Sequence, residues 1–260
     1  MAAAGSRLSA APEDPADHDV DTIITIPRPR KLKRLTYGPG ELPTDAPIQE
    51  AQLKIRLANT EGRRSTVSYL IKRRYAWRGY QAAAISGHAP NRITLAAFDA
   101  EQTIATLTVG VDSPAGLGVE ELYPDEVKAL RATCGQLCEF TRLAVDNMVQ
   151  SRTVLAAIFH IAYIYGHRIR GCSDVVIEVN PRHVRFYRSM LGFELLGEER
   201  IDPRVKAPAV LLRLEFAHAE AEIARLGGHA ELADQVRLLY PLFFSAQEEQ
   251  GIEGRLRSMD

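Results

Sequence analysis

Two charged residues stand inside an otherwise apolar stretch of the chain. Glu139 and Arg142 lie in the segment LCEFTRLAV, residues 137–145, whose other members are mostly hydrophobic. A carboxylate in such a setting can act in acid–base catalysis, because burial raises its pKa toward neutral pH. Arg142 opposes that shift and can bind a carboxylate through two hydrogen bonds. The two residues are therefore candidate catalytic groups, and a purely structural ion pair is the alternative.

The surrounding sequence predicts a strand and a helix that position this pair. Asp146 interrupts the apolar stretch, and Ser151 is a suitable N-cap for a long helix over residues 152–168. The β-branched segment DVVIEVN, residues 174–180, is typical of a strand buried on both faces. A strand, a helix and a second strand therefore follow one another here.

The next part of the chain continues the alternation. Pro181 begins a helix that Gly192 ends, with Tyr187 on its apolar face. Two more strands are predicted at residues 193–196 and 210–216. Strands that alternate with helices in this way predict an α/β fold with a mixed sheet flanked by helices.

The first half of the chain supplies further elements. Residues 93–98 and 104–111 form a predicted hairpin, and a helix is expected over residues 120–131. Residues 52–80 are predicted to be helical and carry eight basic residues against one acid, Glu61. This basic segment is either a solvated charged face or a docking surface for an acidic partner.

Composition divides the chain into three parts. Residues 1–47 hold seven of the 14 prolines and are expected to be partly disordered, apart from a short strand around Ile23. Residues 48–216 form the predicted catalytic domain. Residues 217–260 form a C-terminal helical extension, in which a helix is expected to continue to Leu239.

Charge and hydropathy exclude several functional classes. Lys and Arg number 32 against 33 Asp and Glu, which argues against a polybasic nucleic-acid binder. The apolar stretch at residues 154–165 is interrupted by His160 and is too short to cross a bilayer. Three cysteines without a zinc-binding pattern indicate reduced thiols and no metal site. The N-terminus lacks a signal-peptide core, so we expect a cytoplasmic protein.

The segment NPRHVRFYRSMLGF resembles part of the GCN5-related N-acyltransferase fold. The resemblance lies in Asn180 at the end of a strand, Tyr187 in the next helix, and the Leu-Gly-Phe sequence at residues 191–193. Members that use acetyl-CoA carry a glycine-containing loop that binds pyrophosphate at a helix N-terminus. Residues 147–152, NMVQSR, contain no glycine. This difference implies a donor without the nucleotide, namely an acyl chain on the phosphopantetheine of acyl carrier protein.

The segment CEFTRLAVD resembles the signature of bacterial acyl-homoserine-lactone synthases and of long-chain N-acyl amino acid synthases. Glu139, Thr141 and Arg142 occupy the signature positions. Where the lactone synthases carry an arginine on the preceding strand, this sequence has Thr108. The similarity extends over residues 52–216 and favours an N-acyl tyrosine-type synthase.

The resemblance implies a role for each residue of the motif. Glu139 would remove a proton from an amino-acid amine so that its nitrogen can attack a thioester. Backbone N–H groups near Ala144 and Val145 would stabilise the oxyanion. Arg142 would bind the amino acid's carboxylate or hold Glu139 in position. Tyr187 would protonate the departing thiolate, or is a packed ring.

Further residues are assigned to substrate and partner binding. Thr141, Ala144 and Val145 are substrate-binding candidates, as is Asn180, which can equally cap the following helix. Tyr75 and Trp77 are expected to line an acyl tunnel or to anchor the basic helix. Docking of acyl carrier protein is assigned to four basic residues, which are Arg73, Arg74, Arg78 and Arg152.

The sequence therefore predicts an acyltransferase that joins a long-chain acyl group to the α-amine of an amino acid. The expected partners are acyl carrier protein and these two substrates. No cofactor, nucleic acid or transmembrane segment is expected, and a lipid product would allow peripheral contact with a membrane. Three alternatives are an acyl-homoserine-lactone synthase, an acetyl-CoA-dependent N-acetyltransferase, and a non-catalytic module that binds acyl chains or a carrier protein.

Overall fold

A computed structural model describes residues 21–27, 52–76, 91–146 and 151–259 of the protein. These residues form eight strands and six α-helices. The strands are β1 (Thr22–Pro27), β2 (Gln52–Leu57), β3 (Arg92–Asp99), β4 (Gln102–Val111), β5 (Gln136–Val145), β6 (Cys172–Val179), β7 (Glu194–Asp202) and β8 (Ala207–Glu215). The helices are α1 (Glu61–Ala76), α2 (Pro124–Thr133), α3 (Arg152–Tyr163), α4 (Val184–Leu191), α5 (Phe216–Leu226) and α6 (Ala246–Met259).

The eight strands form one mixed sheet in the order β1-β2-β3-β4-β5-β6-β8-β7. Strands β5 and β6 are parallel, and the other neighbours are antiparallel. The connection between β5 and β6 is α3, because a parallel pair needs a crossover. This architecture confirms the predicted α/β class with a mixed sheet flanked by helices.

Each face of the sheet is covered by its own set of helices. The apolar sides of α1 and α2 pack on one face, with Val67 and Val127 fully buried there. Helices α3, α4, α5 and α6 share the larger core on the other face. Because side chains alternate along a strand, every second residue of β5 and β6 points to the α1–α2 face.

The two parallel strands separate partway along their length. Their pairing begins at Gln136 and ends where Glu139 faces Val176. Beyond this point β5 remains paired with β4 as far as Val145, while β6 remains paired with β8. A gap therefore opens in the middle of the sheet, immediately after Glu139.

Several local predictions are confirmed. The Oγ of Ser151 accepts a hydrogen bond from the N–H of Val154 and caps α3. Gly192 ends α4 with a φ of 80°, a conformation that glycine adopts without strain. The strand expected around Ile23 is β1, and the three cysteines are free thiols.

Two predicted helices are wrong. Residues 52–57 form strand β2 rather than the start of a helix, because Leu53 and Ile55 alternate with polar residues and are buried against the core. The helix expected to reach Leu239 ends at Leu226. Short 3₁₀ turns follow, because Gly227 and Gly228 end α5, and the chain becomes helical again only in α6.

The C-terminal extension packs into the same core as α3 and α4. His160 of α3 is fully buried, and its Nδ1 accepts a hydrogen bond from the N–H of Phe244. Its Nε2 lies 3.3 Å from Oε2 of Glu249, whose other oxygen accepts from Arg168. Among the residues that the structure describes, no helix has the length and apolarity needed to cross a membrane.

Candidate active site

A cleft of about 790 Å³ occupies the gap between β5 and β6. Residues from both faces of the sheet line it. The side chains on the α1–α2 face form what we call the polar compartment, which consists of Arg92, Glu121, Glu139, Glu178, Asp202 and Arg204. Those on the α3–α4 face form the apolar compartment, which consists of Phe140, Leu143, Val145, Leu155, Phe159, Ile177, Val179 and Phe186.

Glu139 lies at the closed end of the polar compartment. Its side chain is only 1% exposed. Oε1 accepts a hydrogen bond from Nη2 of Arg92 at 2.8 Å, and Oε2 accepts from the N–H of Val119 at 3.2 Å. The N–H of Gly118 also donates to this carboxylate. These donors hold the carboxylate in one orientation, facing the cleft.

Gly110 makes the contact between Arg92 and Glu139 sterically feasible. In the sheet, Arg92 pairs with Gly110 and Gly110 pairs with Glu139, so the three residues form one row across β3, β4 and β5. A Cβ at Gly110 would lie 3.1 Å from Cγ of Glu139 and 3.3 Å from Nε of Arg92. Glycine at this position leaves room for the two side chains to meet over the middle strand, whereas a side chain there would force them to shift.

The electrostatic environment of Glu139 combines opposing effects. Burial raises the pKa of this carboxyl, whereas the charge of Arg92 and the two backbone N–H donors oppose the shift. The pKa remains above its usual value, because desolvation is the strongest of these effects. A buried carboxylate with a raised pKa facing a cleft is a candidate proton acceptor.

Arg142 does not hold Glu139 in position, contrary to one of its two expected roles. Arg92 takes that place, and Arg142 has no ion pair within the described part of the chain. Its backbone φ of 53° is unusual for a residue with a side chain, and it lies at a bulge where the register of β4 and β5 shifts. The bulge directs Arg142 into the cleft, where burial and the charge of Arg92 lower its pKa.

Two further signature positions also face the cleft. The Oγ1 of Thr141 is buried and has no hydrogen-bond partner among the described residues. The N–H of Asp146 donates to Ile104 on β4, so the preceding N–H, that of Val145, points away from β4 and into the gap. The N–H of Ala144 points toward β4 by the same alternation. Val145 is therefore the better placed of the two expected oxyanion donors.

Tyr187 lies in the wall of the apolar compartment. Its ring packs edge-on against Phe159, Phe186 and Phe193, with centroid separations of 6.2, 5.2 and 5.6 Å. Burial raises the pKa of the Tyr187 hydroxyl, so this group stays protonated at neutral pH. The residue thus both packs in the core and lines the cleft.

The other expected site residues have mixed outcomes. Tyr75 lines the cleft. Asn180 also lines it and serves as the helix cap, since its Oδ1 accepts from the N–H of Arg182 and its Nδ2 donates to Pro208. Trp77 and Arg78 lie outside the described residues.

The structure removes Arg152 from the predicted docking surface. Its Nη1 donates to the carbonyl of Ala233 at 3.0 Å and its Nη2 to that of Leu238 at 2.8 Å. These contacts turn the guanidinium inward, toward the C-terminal extension. Arg152 therefore holds this extension against α3 and does not face a partner.

Five residues of the polar compartment were not identified from the sequence, which are Arg92, Glu121, Glu178, Asp202 and Arg204. Arg92 pairs with Glu139, and Arg204 joins Glu178 of β6 to Asp202 at the end of β7. The alternation along β6 is a usable signal for Glu178, because a charged residue in a strand otherwise buried on both faces needs a partner or a function. Neither arginine has a comparable local signal.

Comparisons with known proteins identify the family of the chain. The family model described as N-acyl amino acid synthase FeeM matches residues 66–215. Among solved structures, the chain is similar to FeeM, an N-acyl amino acid synthase from uncultured soil microbes, with 23% identity and a TM-score of 0.58. That match covers 65% of this chain and 94% of FeeM. A comparison with curated proteins finds no relative of significant sequence similarity.

Two other solved structures are similar at a lower level. The acyl-homoserine-lactone synthase LasI has 12% identity and a TM-score of 0.46, covering 63% of this chain and 90% of LasI. A probable acetyltransferase from Staphylococcus epidermidis has 16% identity and a TM-score of 0.47, covering 63% of this chain and 98% of that protein. The family model spans more than half of the chain, and the protein therefore belongs to the FeeM family of N-acyl amino acid synthases.

Proposed function

We propose that this protein transfers a long-chain acyl group from acyl carrier protein to the α-amine of an amino acid. The observation that carries the proposal is the cleft between β5 and β6. It joins a polar compartment built around Glu139 to an apolar compartment built around Phe159. A charged amine and an apolar thioester can thus meet at the point where the two strands separate.

The polar compartment suits an amino acid. The ammonium group of the amino acid would face the carboxylate of Glu139. This carboxylate is our first candidate to accept the proton, directly or through one water. The carboxylate of the amino acid would bind to Arg142, which lines the cleft and forms no ion pair with the described residues. The hydroxyl of Thr141 supplies a donor between these two groups.

The apolar compartment suits an extended acyl chain. Its lining residues are hydrophobic side chains that are partly or fully buried against the large core. Burying each methylene of a chain contributes about 0.8 kcal/mol, so a long chain would bind here much more tightly than an acetyl group. The number of hydrophobic side chains in this wall supports a long-chain donor.

The reaction centre would lie between the two compartments. Attack of the neutral amine on the thioester carbon forms the C–N bond and places a negative charge on the carbonyl oxygen. The N–H of Val145 is proposed to stabilise that oxyanion. The C–S bond then breaks, and the thiolate takes the second proton of the amine with the Tyr187 hydroxyl as the proposed relay.

The start of α3 supports a carrier-bound donor rather than a nucleotide. Residues 147–152 have no glycine, so the loop lacks the residue type that lets a backbone approach a pyrophosphate closely. Ser151 caps the helix with its own side chain, and Arg152 binds the C-terminal extension. We infer that the phosphopantetheine arm enters alone, that no other cofactor takes part, and that the enzyme works in the cytoplasm.

Two basic surfaces are candidates for docking the carrier protein. The first is the end of α1, where Arg73 is exposed and pairs with Asp146 while Arg74 lines the cleft. The second is α4, where Arg185 and Arg188 are exposed and no acidic residue occurs between residues 180 and 193. Both helices border the cleft, so either surface can present an acidic partner to it.

The proposed activity can be tested with purified protein, acyl carrier protein charged with chains of different length, and a mixture of amino acids. We expect N-acyl amino acids by mass spectrometry, and a loss of about 10²- to 10⁴-fold in turnover for Glu139→Gln. Turnover with acetyl-CoA alone would indicate an ordinary acetyltransferase, and a lactone product would indicate a signal synthase. Acyl binding without turnover would indicate a binding module.

Charge reversal distinguishes the two docking surfaces. One double variant combines Arg185→Glu with Arg188→Glu, and the other combines Arg73→Glu with Arg74→Glu. We expect the variant that alters the true docking surface to weaken carrier-protein binding in a salt-dependent way. Arg225→Glu on the exposed side of α5 is the matched control. Unchanged affinity in both double variants would reject a basic docking surface.

A further inference from the structure

Glu178 is a second carboxylate on the same wall of the polar compartment as Glu139. The two residues lie on adjacent strands, and Glu178 follows Val176, the last residue of β6 that pairs with β5, by two positions. It therefore points to the same face as Val176, beside the gap. Its side chain is 15% exposed, whereas that of Glu139 is 1% exposed.

A short network connects the two carboxylates. The N–H of Gly118 donates to Glu139, and the carbonyl of the same residue accepts from Nη1 of Arg204 at 3.3 Å. Arg204 in turn donates to Oε2 of Glu178 at 2.6 Å and to Oδ1 of Asp202 at 2.9 Å. Glu178 and Asp202 are thus held by the same guanidinium, which brings two carboxyl groups close together.

The oxygens of Glu139 are poorly suited to releasing a proton. Both already accept hydrogen bonds, from Arg92 on one side and from backbone N–H groups on the other. Its side chain is also 1% exposed against 15% for Glu178, so Glu139 exchanges protons with solvent less readily. Glu178 has one oxygen on Arg204 and lies at the accessible end of the compartment.

We propose that Glu178 is a second acid–base residue of the acyl transfer, which takes the proton released by the ammonium and returns it to solvent. In this scheme Glu139 holds the amine in place, and Glu178 rather than Glu139 is the final acceptor of the ammonium proton. The proton balance is complete, because one ammonium proton passes to Glu178 before attack and the second passes to the thiolate. This inference rests on the proposed function.

The charges around Glu178 support this role. The pKa of Glu178 is raised to about 7, because burial, the largest effect, and Asp202 raise it more than Arg204 lowers it. Among the described residues, Glu121 on the turn before α2, Tyr123 and Glu139 are further titratable groups near this network. A group that titrates near neutral pH both accepts and releases protons efficiently.

The test is the pH dependence of kcat between pH 5 and 9. We expect Glu178→Gln to lower kcat at pH 7 by about 10²- to 10⁴-fold and to remove the acid limb of the profile. Glu178→Asp should retain the limb at reduced kcat. Glu126→Gln is the matched control, because Glu126 is also a partly buried carboxylate paired with an arginine, Arg200, outside the cleft. Thermal unfolding of each variant checks that it is folded.

Neighbouring substitutions make the test specific. Asp202→Asn removes a charge that raises the pKa of Glu178, so the acid limb should move to lower pH. Arg204→Gln removes the cation that lowers the pKa of Glu178, so the acid limb should move to higher pH. A purely structural network would not shift the limb in opposite directions.

Each outcome decides between the two levels of the proposal. If Glu178→Gln keeps the kcat and acid limb of the Glu126→Gln control, the role of Glu178 is overturned while the acyl transfer stands. If the unmodified protein acylates no amine with any donor, the proposed function and this inference both fall. A ¹³C-carboxyl NMR titration of the resting protein provides a check independent of activity, since a glutamate signal that titrates near pH 7 should disappear in Glu178→Gln.

Discussion

Arg92 and Glu139 meet across a strand to which neither belongs. Nη2 of Arg92 lies 2.8 Å from Oε1 of Glu139, and Gly110 of β4 stands between them in the sheet. The ion pair fixes the carboxylate at the closed end of the cleft and leaves Arg142 available for substrate. The chemistry proposed for the polar compartment therefore depends on an arginine and a glycine that do not belong to the recognisable motif.

Replacing Gly110 by alanine should disturb this pair. The new Cβ would press on Cγ of Glu139 and Nε of Arg92, so we expect turnover to fall by at least about tenfold and stability by about 1–3 kcal/mol, as for other overpacked sites. Gly254→Ala is the control, because Gly254 lies in α6 with open space around it. That variant should gain about 0.5–1 kcal/mol of stability with unchanged turnover. Full activity of Gly110→Ala would contradict the steric argument.

Arg142→Gln should impair recognition of the acceptor's carboxylate. Loss of a charged hydrogen bond of about 1.5–3 kcal/mol corresponds to an increase in KM for the amino acid of about 10- to 100-fold. Arg142→Lys should recover only part of the loss, because lysine keeps the charge but not the paired donors. The amino-acid amide is the substrate control, since its KM should respond little to either change. Equal effects on acid and amide would assign Arg142 another role.

Phe159→Ala should extend the range of acyl chains. Phe159 and Phe140 line both the cleft and a small apolar cavity of about 20 Å³ behind it. Removing the Phe159 ring joins the two spaces, so kcat/KM for longer chains should rise by about fourfold for each additional buried methylene. Phe243 lines the small cavity but not the cleft, so Phe243→Ala should not change the preferred length of the acyl chain. Identical chain-length profiles in both variants would place the chain elsewhere.

His160 predicts how stability depends on pH. Burial lowers its pKa below 6.5, so the unfolded chain gains a proton at a higher pH than the folded one. The stability contributed by neutral His160 is therefore present above pH 6.5 and is lost as the pH falls toward the folded pKa, with a slope of at most about 1.4 kcal/mol per pH unit. His160→Asn should flatten this part of the profile in denaturant unfolding at pH 5–8. His229→Asn, at an exposed position, should keep the wild-type slope.

The residues close together in sequence determined much of the local structure. The apolar stretch around Glu139 predicted β5, Ser151 predicted the start of α3, and Gly192 predicted the end of α4. These features depend on alternation, capping and backbone freedom, which act over a few residues. The motif also identified Glu139, Thr141 and Arg142 as residues of one site, and the structure places all three in the cleft.

Only the tertiary structure decided which residues complete that site. A bulge between Ala97 and Phe98 shifts the β3–β4 register by one position, so that Arg92 faces Gly110 rather than Val109. A second bulge turns Arg142 into the cleft, and the separation of β5 from β6 leaves Glu178 at the edge of that cleft. Bulges and strand separation depend on packing between distant segments, and a shift of one residue changes which side chains can meet. For that reason the ion pair of Glu139 had no signal in the sequence.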